Sequence, residues 1–466
     1  MLPKFSAGAI PLSSKPLSWY TNKQLLIVLC LLFFITSFIS LLIPPLQSPD
    51  EPNHLKRAYL LSKGEIFLDS KDSITGGMID QGLIDFEQSF SYLPFNGRVH
   101  VNPEQVEESK KIYWANQKVF SGLPNTAAYF PISYVPQALG LAIGESAKLS
   151  ISNTYYLCRI ICLLFTLSVI YYSSKLFPIP ALAFSCLIIP MSIFQLGSAS
   201  LDSITYGICF LISALFCRAC QSDKDITTPM LYLFALCLLA IATTRINFLT
   251  LTLIPLSVYL YKGKKVAMGL AITAFLLALA WTLYALSHIE GLQTVRQLST
   301  IQIIHYYFSH PLELVKVFLN TFTKWGSIRF YWESFIGKLG WLDTPIPDLG
   351  GVIYVFYFFS MIFLAKLTKI KNTVLLKDYQ RLFFLINLIL GFFALFAILL
   401  FSWTQHPAKT VDGIQGRYFT PFVIFTAYAV FGDIGKKSSI KKIRLTLLAI
   451  LSTSIVVTSM ALYGRY

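Results

Sequence analysis

Long apolar runs separated by short polar segments dominate the chain. A bilayer core about 30 Å thick needs about 20 apolar residues in a helix, so the predicted spans of about 15 residues are short for it. The pattern predicts an all-α polytopic membrane protein with about eleven transmembrane helices. The predicted spans cover residues 25–46, 155–176, 179–196, 203–220, 230–244, 248–261, 266–288, 350–367, 382–403, 418–433 and 445–463.

Positive charge sets the expected orientation. With these spans, the loops on the side of the N-terminus carry 19 Lys and Arg residues, whereas the short loops on the opposite side carry 4. Lys and Arg accumulate in short cytoplasmic loops, and long loops are exempt from this rule. We therefore expect a cytoplasmic N-terminal tail at 1–24 and a single transmembrane domain at 25–466. Two long loops, at about 47–153 and 289–349, then lie on the outer face.

Two stretches of the first outer loop have the pattern of interfacial helices. The sequence "HLKRAYLLSKG" alternates apolar and basic positions at helical spacing, as a helix on a membrane surface does. The sequence "YFPISYVPQALGLAIG", at 129–144, is apolar and aromatic but short and interrupted by two prolines. If it spanned, every later loop would invert and the charge bias would be lost, so we interpret it as an interfacial or re-entrant helix.

Composition excludes other classes of protein. The chain has 466 residues, of which 55% are hydrophobic and only 13% charged, against about 25% charged in soluble domains. Its net charge of +15 reflects topology, so no nucleic acid partner is predicted. The eight cysteines all lie in or beside apolar runs, which predicts no disulfides. No Gly-rich phosphate loop and no His ligand spacing occur, so neither ATP nor zinc is expected.

The predicted topology places several charged residues together at the outer ends of helices. Charged groups at the mouth of a helix bundle are costly unless they are solvated or paired, so they are candidate functional residues. The group comprises Asp50, Glu51, Asp202, Arg245, Asp343 and Arg417.

Each candidate has a structural alternative. Asp50 and Glu51 open a helix, so they are either caps or a working carboxylate beside water. Asp202 is either a cap or a cavity residue. Arg245 and Arg417 either extend towards lipid head groups or bind phosphate, which a guanidinium holds through two hydrogen bonds.

Other polar and aromatic residues complete the prediction. Trp341, in "GKLGWLDTPIPD", is an interface anchor or a platform on which a sugar stacks. His54, Lys56 and Arg57 follow the acidic pair and supply charge near a lipid phosphate or anionic head groups. Asp50, Glu51 and Asp202 together are candidate ligands for a divalent cation, which binds carboxylate oxygens.

Four motifs carry a resemblance. "SPDEPNHLKRAYLLSKGEI", "SASLDSITYG", "IGKLGWLDTPIP" and "DGIQGRYFTPF" resemble, in this order, a bacterial family of multi-pass membrane proteins catalogued as domain of unknown function 2142 and related to GT-C glycosyltransferases. The resemblance runs from about residue 25 to residue 461. It implies a bacterial inner-membrane protein with a GT-C-like fold and interfacial helices in its first outer loop.

The resemblance also implies an activity. GT-C enzymes transfer a sugar from a polyprenyl-phosphate carrier at the outer membrane face, with an acid of the first outer loop as base, here Asp50 or Glu51. Arg417, with Arg57, Lys56 and Arg245, would bind the donor phosphate, and the acceptor would be a glycan or lipid-linked glycan. The alternative is a lipid-linked sugar translocase or binding component that holds the same ligand without transferring it.

Overall fold

The computed structural model describes residues 18–221, 226–291, 298–368, 378–430 and 437–466. Most of the predicted tail at 1–24 therefore lies outside the described residues. The described helices are α1 (Asn22–Leu42), α2 (Glu51–Ser62), α3 (Gln81–Gln88), α4 (Pro103–Ser109), α5 (Pro124–Ala127), α6 (Val135–Ser146), α7 (Ile151–Leu176), α8 (Ala181–Ser185), α9 (Pro190–Leu196), α10 (Leu201–Cys220), α11 (Thr228–Thr244), α12 (Pro255–Lys262), α13 (Lys265–His288), α14 (Thr300–Ser309), α15 (Pro311–Thr323), α16 (Trp325–Ile336), α17 (Val352–Leu367), α18 (Asp378–Ser402), α19 (Thr420–Ala429) and α20 (Lys437–Arg465).

Short 3-10 helices and strands complete the fold. The 3-10 helices are Pro131–Tyr134, Ile246–Leu253 and Gly416–Phe419, and the strands are β1 (Asp69–Lys71), β2 (Ile74–Asp80), β3 (Lys118–Gly122), β4 (Lys338–Leu339) and β5 (Thr344–Pro345). Strands β1, β2 and β3 form an antiparallel sheet in that order, with Met78 opposite Phe120. Strands β4 and β5 form a second, two-stranded sheet. The first sheet lies in the loop at 47–153, where the sequence predicted interfacial helices and no strands, and the second lies in the loop at 289–349.

Six helices of the described chain are long and apolar enough to cross a membrane, which confirms a predominantly helical membrane protein. They are α1, α7, α10, α13, α18 and α20, and three further apolar segments, Thr228–Thr244, Ile246–Lys262 and Val352–Leu367, are shorter. The predicted span at 179–196 is divided into the short helices α8 and α9. The total of about eleven spans stays a prediction.

One end of the bundle joins the start of α1, the end of α7 and the start of α20. The Trp19 indole donates to the Ile179 carbonyl at 2.9 Å, and the Ile179 amide donates to the Tyr20 hydroxyl at 2.8 Å. Arg444 Nε donates to the Trp19 carbonyl at 2.7 Å. Helix ends that the predicted topology assigns to one side are therefore in contact.

The opposite end carries both long loops. Arg465, the last residue of α20, donates to the carbonyls of Leu93 and Val99 at 2.7 Å each. Its guanidinium also pairs with Asp343 at 3.3 Å. The end of α20, loop 47–153 and loop 289–349 therefore lie on one side of the bundle, as the sequence interpretation placed them. Which side of the membrane this is stays a prediction.

The helices predicted to lie on the membrane surface differ from one another in burial. Helix α2 forms where "HLKRAYLLSKG" predicted it, yet most of its side chains are buried, so it packs inside the loop rather than against lipid. Helix α6 forms within the stretch at 129–144 and extends to Ser146, and it packs on α7 and α2. Helices α14 and α15, which the sequence did not predict to be interfacial, expose Ile301, Phe308 and Leu312 by 75–80%, a pattern typical of contact with lipid.

Candidate functional site

Four charged side chains from distant parts of the chain meet where the long loops adjoin the bundle. Asp50 immediately precedes α2, and Asp202 lies in the first turn of α10. Arg245 directly follows α11, and Arg417 lies in the 3-10 helix that leads into α19. All four are residues that the sequence placed at one end of the bundle, and we call them the charged cluster.

Arg417 lies at the centre of the charged cluster. Its Nη1 donates to Asp202 Oδ2 at 2.8 Å, and its Nη2 donates to Asp50 Oδ2 at 3.1 Å. Its Nε donates to Gln415 Oε1 at 2.7 Å. The side chain of Arg417 is only 4% exposed, so the guanidinium is oriented by three acceptors rather than extended towards lipid head groups.

Asp202 binds a second arginine. Its Oδ1 accepts a hydrogen bond from Arg245 Nη2 while its Oδ2 accepts from Arg417. The Tyr418 ring lies beside both guanidinium groups, with ring-centroid distances of 5.7 Å to Arg245 and 5.4 Å to Arg417. Asp202 therefore holds two positive charges together, and this contact, not helix capping, occupies its carboxylate.

Asp50 differs from the other members because it is open to solvent. It occupies the N-cap position of α2, yet its side chain accepts no hydrogen bond from the helix amides. Its φ of 62° lies in the left-handed region, where a non-glycine residue is strained and such strain clusters at functional sites. Its side chain is 37% exposed. The carboxylate is thus turned towards Arg417 and remains accessible.

His54 lies one helical turn beyond Asp50, on the same face of α2. Its Nδ1 is 2.7 Å from the Tyr134 hydroxyl, and its ring stacks on Tyr129 with centroids 6.1 Å apart and an interplanar angle of 18°. Burial lowers the pKa of His54 to about 4, although the carboxylates of Asp50 and Asp202 act in the opposite direction. The imidazole is therefore neutral at pH 7, and the expected contribution of positive charge from His54 is not supported.

Glu51 points away from the charged cluster into a buried network. Its Oε1 accepts from the Tyr155 hydroxyl at 2.8 Å and from the Ala199 amide at 2.7 Å, and its Oε2 accepts from the Ser48 amide at 3.2 Å. Arg159, in the first half of α7, lies 3.5 Å from Oε2. Glu51 is fully buried. Its geometry favours a structural role, and the assignment of Glu51 as a base stays a prediction.

The two basic residues after His54 also have structural partners. Lys56 Nζ pairs with Glu87 at 2.9 Å. Arg57 is fully buried and donates to the backbone carbonyls of Glu65 and Ile66 at 3.2 and 2.7 Å. Both side chains hold the first long loop together, so their assignment to donor phosphate stays a prediction without geometric support.

Trp341 and Asp343 form a separate contact between the two long loops. Trp341 Nε1 donates to the Leu46 carbonyl at 3.3 Å, and its ring packs on Phe95 with centroids 5.5 Å apart. Asp343 accepts from the Phe95 amide at 3.0 Å and pairs with Arg465. Trp341 and Asp343 therefore connect the two long loops and the end of α20. The structure records no contact of either with the charged cluster.

The carboxylates do not assemble as a metal site in the described part of the chain, where no group of three or more His, Cys, Asp or Glu side chains is placed to hold an ion. Asp50 and Asp202 face arginines, and Glu51 faces Arg159. The Arg417 guanidinium lies between Asp50 and Asp202, and Glu51 faces a different guanidinium, so the three carboxylates do not converge on one point. The residues present therefore do not fit the divalent cation considered from sequence.

Sequence reasoning missed the residues that complete this region. Tyr129, Tyr134 and Tyr418 surround the charged residues, but tyrosines are frequent in this chain and their spacing carries no signal. Arg159 did leave a signal, because an arginine inside a 26-residue apolar helix demands a partner.

Comparison with known proteins gives one result. A family model described as "Predicted membrane protein (DUF2142)" matches residues 32–426. This range contains every member of the charged cluster. A search of curated proteins finds no match to the chain.

Proposed function

Because this match covers most of its length, the chain belongs to the DUF2142 family of predicted membrane proteins, and we propose that it is a GT-C-type glycosyltransferase. It would transfer a sugar from a polyprenyl-phosphate donor to an envelope glycan or similar acceptor, at the outer face of the bacterial cytoplasmic membrane. The observation that carries the proposal is the charged cluster, in which the accessible Asp50 carboxylate pairs with Arg417 and Asp202 holds Arg417 together with a second arginine.

The arginines supply the positive charge and the hydrogen-bond donors that a lipid phosphate requires. Arg417 and Arg245 are held close together by Asp202, and paired guanidinium groups bind phosphate oxygens through charge-assisted hydrogen bonds. Asp202 compensates part of their charge, so two like charges coexist in a largely buried place. The arrangement is thus prepared before a ligand arrives, which limits reorganisation during a reaction.

Asp50 supplies a proton acceptor. In the proposed reaction, the acceptor hydroxyl gives its proton to the Asp50 carboxylate while its oxygen attacks the anomeric carbon. The bond between that carbon and the phosphate oxygen breaks, and its electron pair stays on the departing polyprenyl phosphate. The phosphate gains negative charge as Asp50 loses it, and the arginines stabilise the oxygen where charge develops.

The contact between Asp50 and Arg417 has a role in this sequence. Donor phosphate would compete with the Asp50 carboxylate for Arg417 Nη2, the weaker of the two ion-pair contacts at 3.1 Å against 2.8 Å. Phosphate binding would then release the carboxylate next to the anomeric carbon. The Asp50 oxygen that now accepts from Arg417 would thus become free when donor is present.

A reconstituted assay tests the proposal. Purified protein in detergent is mixed with undecaprenyl-phosphate sugars and candidate acceptors, and donor binding and sugar transfer are measured separately. Arg417→Ala should weaken donor binding by about one to two decades, since a hydrogen bond to a charged group contributes roughly 1.5–3 kcal/mol. Arg417→Lys should restore part of it, because lysine keeps the charge but not the planar fork.

The matched control is Arg98→Ala, which removes an exposed arginine of the first long loop. It should bind donor as the unaltered protein does. Donor binding by the unaltered protein without transfer to any acceptor would favour the alternative, a translocase or binding component. Equal donor affinity in Arg417→Ala and Arg98→Ala would contradict the assignment of Arg417 to the donor phosphate, both for a transferase and for a translocase or binding component.

A further inference from the structure

The His54 imidazole has one nitrogen satisfied and one free. Nδ1 is 2.7 Å from the Tyr134 hydroxyl. Within the described residues, Nε2 has no hydrogen-bond partner. It is nevertheless not fully shielded from solvent. The side chain as a whole is only 7% exposed, so Nε2 opens onto a narrow space.

The position of His54 identifies that space. The imidazole lies on the same face of α2 as Asp50, and the charges of Asp50, Asp202, Arg245 and Arg417 all act on it. Tyr129 closes one side of the ring by stacking. The imidazole therefore lies beside the charged cluster, close to the place where the proposed function puts the sugar of the donor.

Tyr134 fixes which nitrogen carries the proton. Its side chain is fully buried, and the contact with His54 is the one hydrogen bond recorded for its hydroxyl in the described chain. If the hydroxyl accepted from Nδ1–H, its own O–H would be buried without an acceptor, which costs about 1–3 kcal/mol. The hydroxyl therefore donates to Nδ1, and the neutral ring carries its proton on Nε2.

We infer that His54 is a ligand-binding residue that donates its Nε2–H to a hydroxyl oxygen of the sugar, in a tautomer set by Tyr134. This inference rests on the proposed function for the identity of the ligand but not for the tautomer. A neutral donor is better suited to a sugar hydroxyl than to a phosphate, which the two arginines already accommodate. The base assignment stays with Asp50, because a ring with Nδ1 engaged and Nε2 protonated has no free lone pair.

The tautomer is tested on the protein itself. The chain has six histidines, so nitrogen-15 histidine labelling with His54→Gln for assignment isolates the two ring nitrogens of His54. At pH 7 we expect Nε2 protonated and Nδ1 unprotonated, and in Tyr134→Phe we expect a mixture of tautomers. A protonated Nδ1 in the unaltered protein, either as the other tautomer or as imidazolium, would overturn the inference, whatever the protein's activity.

The ligand is tested with two probes, undecaprenyl phosphate and an undecaprenyl-phosphate hexose. His54→Ala should bind the sugar-bearing lipid about 3- to 10-fold more weakly, the range for one neutral hydrogen bond, and the sugar-free lipid unchanged. His54→Gln, whose amide places a donor near Nε2, should recover part of the loss. Equal weakening for both lipids would reject the sugar contact in favour of phosphate. Failure of the unaltered protein to bind either lipid would reject the proposed function and this ligand, and would leave the tautomer result standing.

Discussion

The buried pair of Glu51 and Arg159 gives a sharp test of the structural reasoning. We predict that Arg159→Met strongly destabilises the protein, although methionine retains much of the apolar volume. The side chains of Arg159 and Glu51 are 2% and 0% exposed. Removing one partner of such a pair leaves an uncompensated buried charge, which typically costs about 3–5 kcal/mol.

The hydrogen bonds of Arg159 add to the expected cost. Its Nη1 donates to the Ser40 and Ile43 carbonyls at 2.9 and 3.1 Å, and its Nη2 donates to the Pro44 carbonyl at 3.4 Å. Each of these carbonyls loses a donor in Arg159→Met. Because these residues lead from α1 to Asp50, we also expect the charged cluster to be disturbed.

The free energy of unfolding is measured by titration with SDS in mixed micelles. The control is Lys110→Met, which breaks an exposed pair in which the Lys110 and Glu107 side chains are 52% and 67% exposed, and should cost about 0–1 kcal/mol. Glu51→Gln/Arg159→Met removes both charges and should cost less than the two single changes added together, by about 1–3 kcal/mol. Equal costs for Arg159→Met and Lys110→Met, or strict additivity in the double variant, would refute the reasoning.

Three further predictions address topology, the charged cluster and pH. In a variant without reactive cysteines, an impermeant thiol reagent added outside intact cells should label Asn96→Cys and not Lys265→Cys, and the reverse pattern would invert the topology. Asp202→Asn should reduce the free energy of unfolding by about 3 kcal/mol, because the buried Arg417 and the partly exposed Arg245 lose their shared carboxylate, and a loss below 1 kcal/mol would count against the ion-pair geometry. The pKa of His54 is lowered from 6.5 to about 4, so the unfolded chain binds a proton between these values that the folded chain does not. Stability should therefore fall as pH decreases from 6.5 to 4, by up to roughly 3 kcal/mol from this group, and His54→Gln should flatten this part of the curve. An unchanged slope in His54→Gln would contradict the burial argument.

The end of the bundle at which the charged cluster lies was accessible from sequence, whereas the number of spans and the orientation in the membrane stay predictions. Apolar run lengths located the six long apolar helices, and the bias of Lys and Arg placed Asp50, Asp202, Arg245 and Arg417 at one end of the bundle. Such reasoning works because both signals act over whole segments and survive errors of a few residues at each boundary. The sequence predicted the end of the bundle at which each of these residues lies. The structure shows which of their side chains are in contact.

The partners of individual side chains were not accessible. Asp50 and Glu51 are neighbours in sequence, but only Asp50 reaches Arg417, because the left-handed conformation at Asp50 turns the two carboxylates in different directions. The pattern of α2 predicted a membrane surface helix, and the structure buries its basic residues against acceptors of the same loop. Hydrophobic periodicity does not distinguish a helix packed under a loop from one lying on lipid, because both bury a single face.

Sugar transfer by Asp50→Asn, compared with its donor binding, tests the central claim most directly. Asparagine keeps the shape and an acceptor for Arg417 but has no basicity, so we predict transfer reduced by about 10²–10⁴-fold with donor binding largely retained. Asp85→Asn, which changes an exposed carboxylate of the same loop, should leave both unchanged, provided that all three proteins fold and insert equally. Full transfer activity in Asp50→Asn would contradict the account and make Glu51 the next candidate, and full activity in Asp50→Asn/Glu51→Gln would exclude both carboxylates as the base.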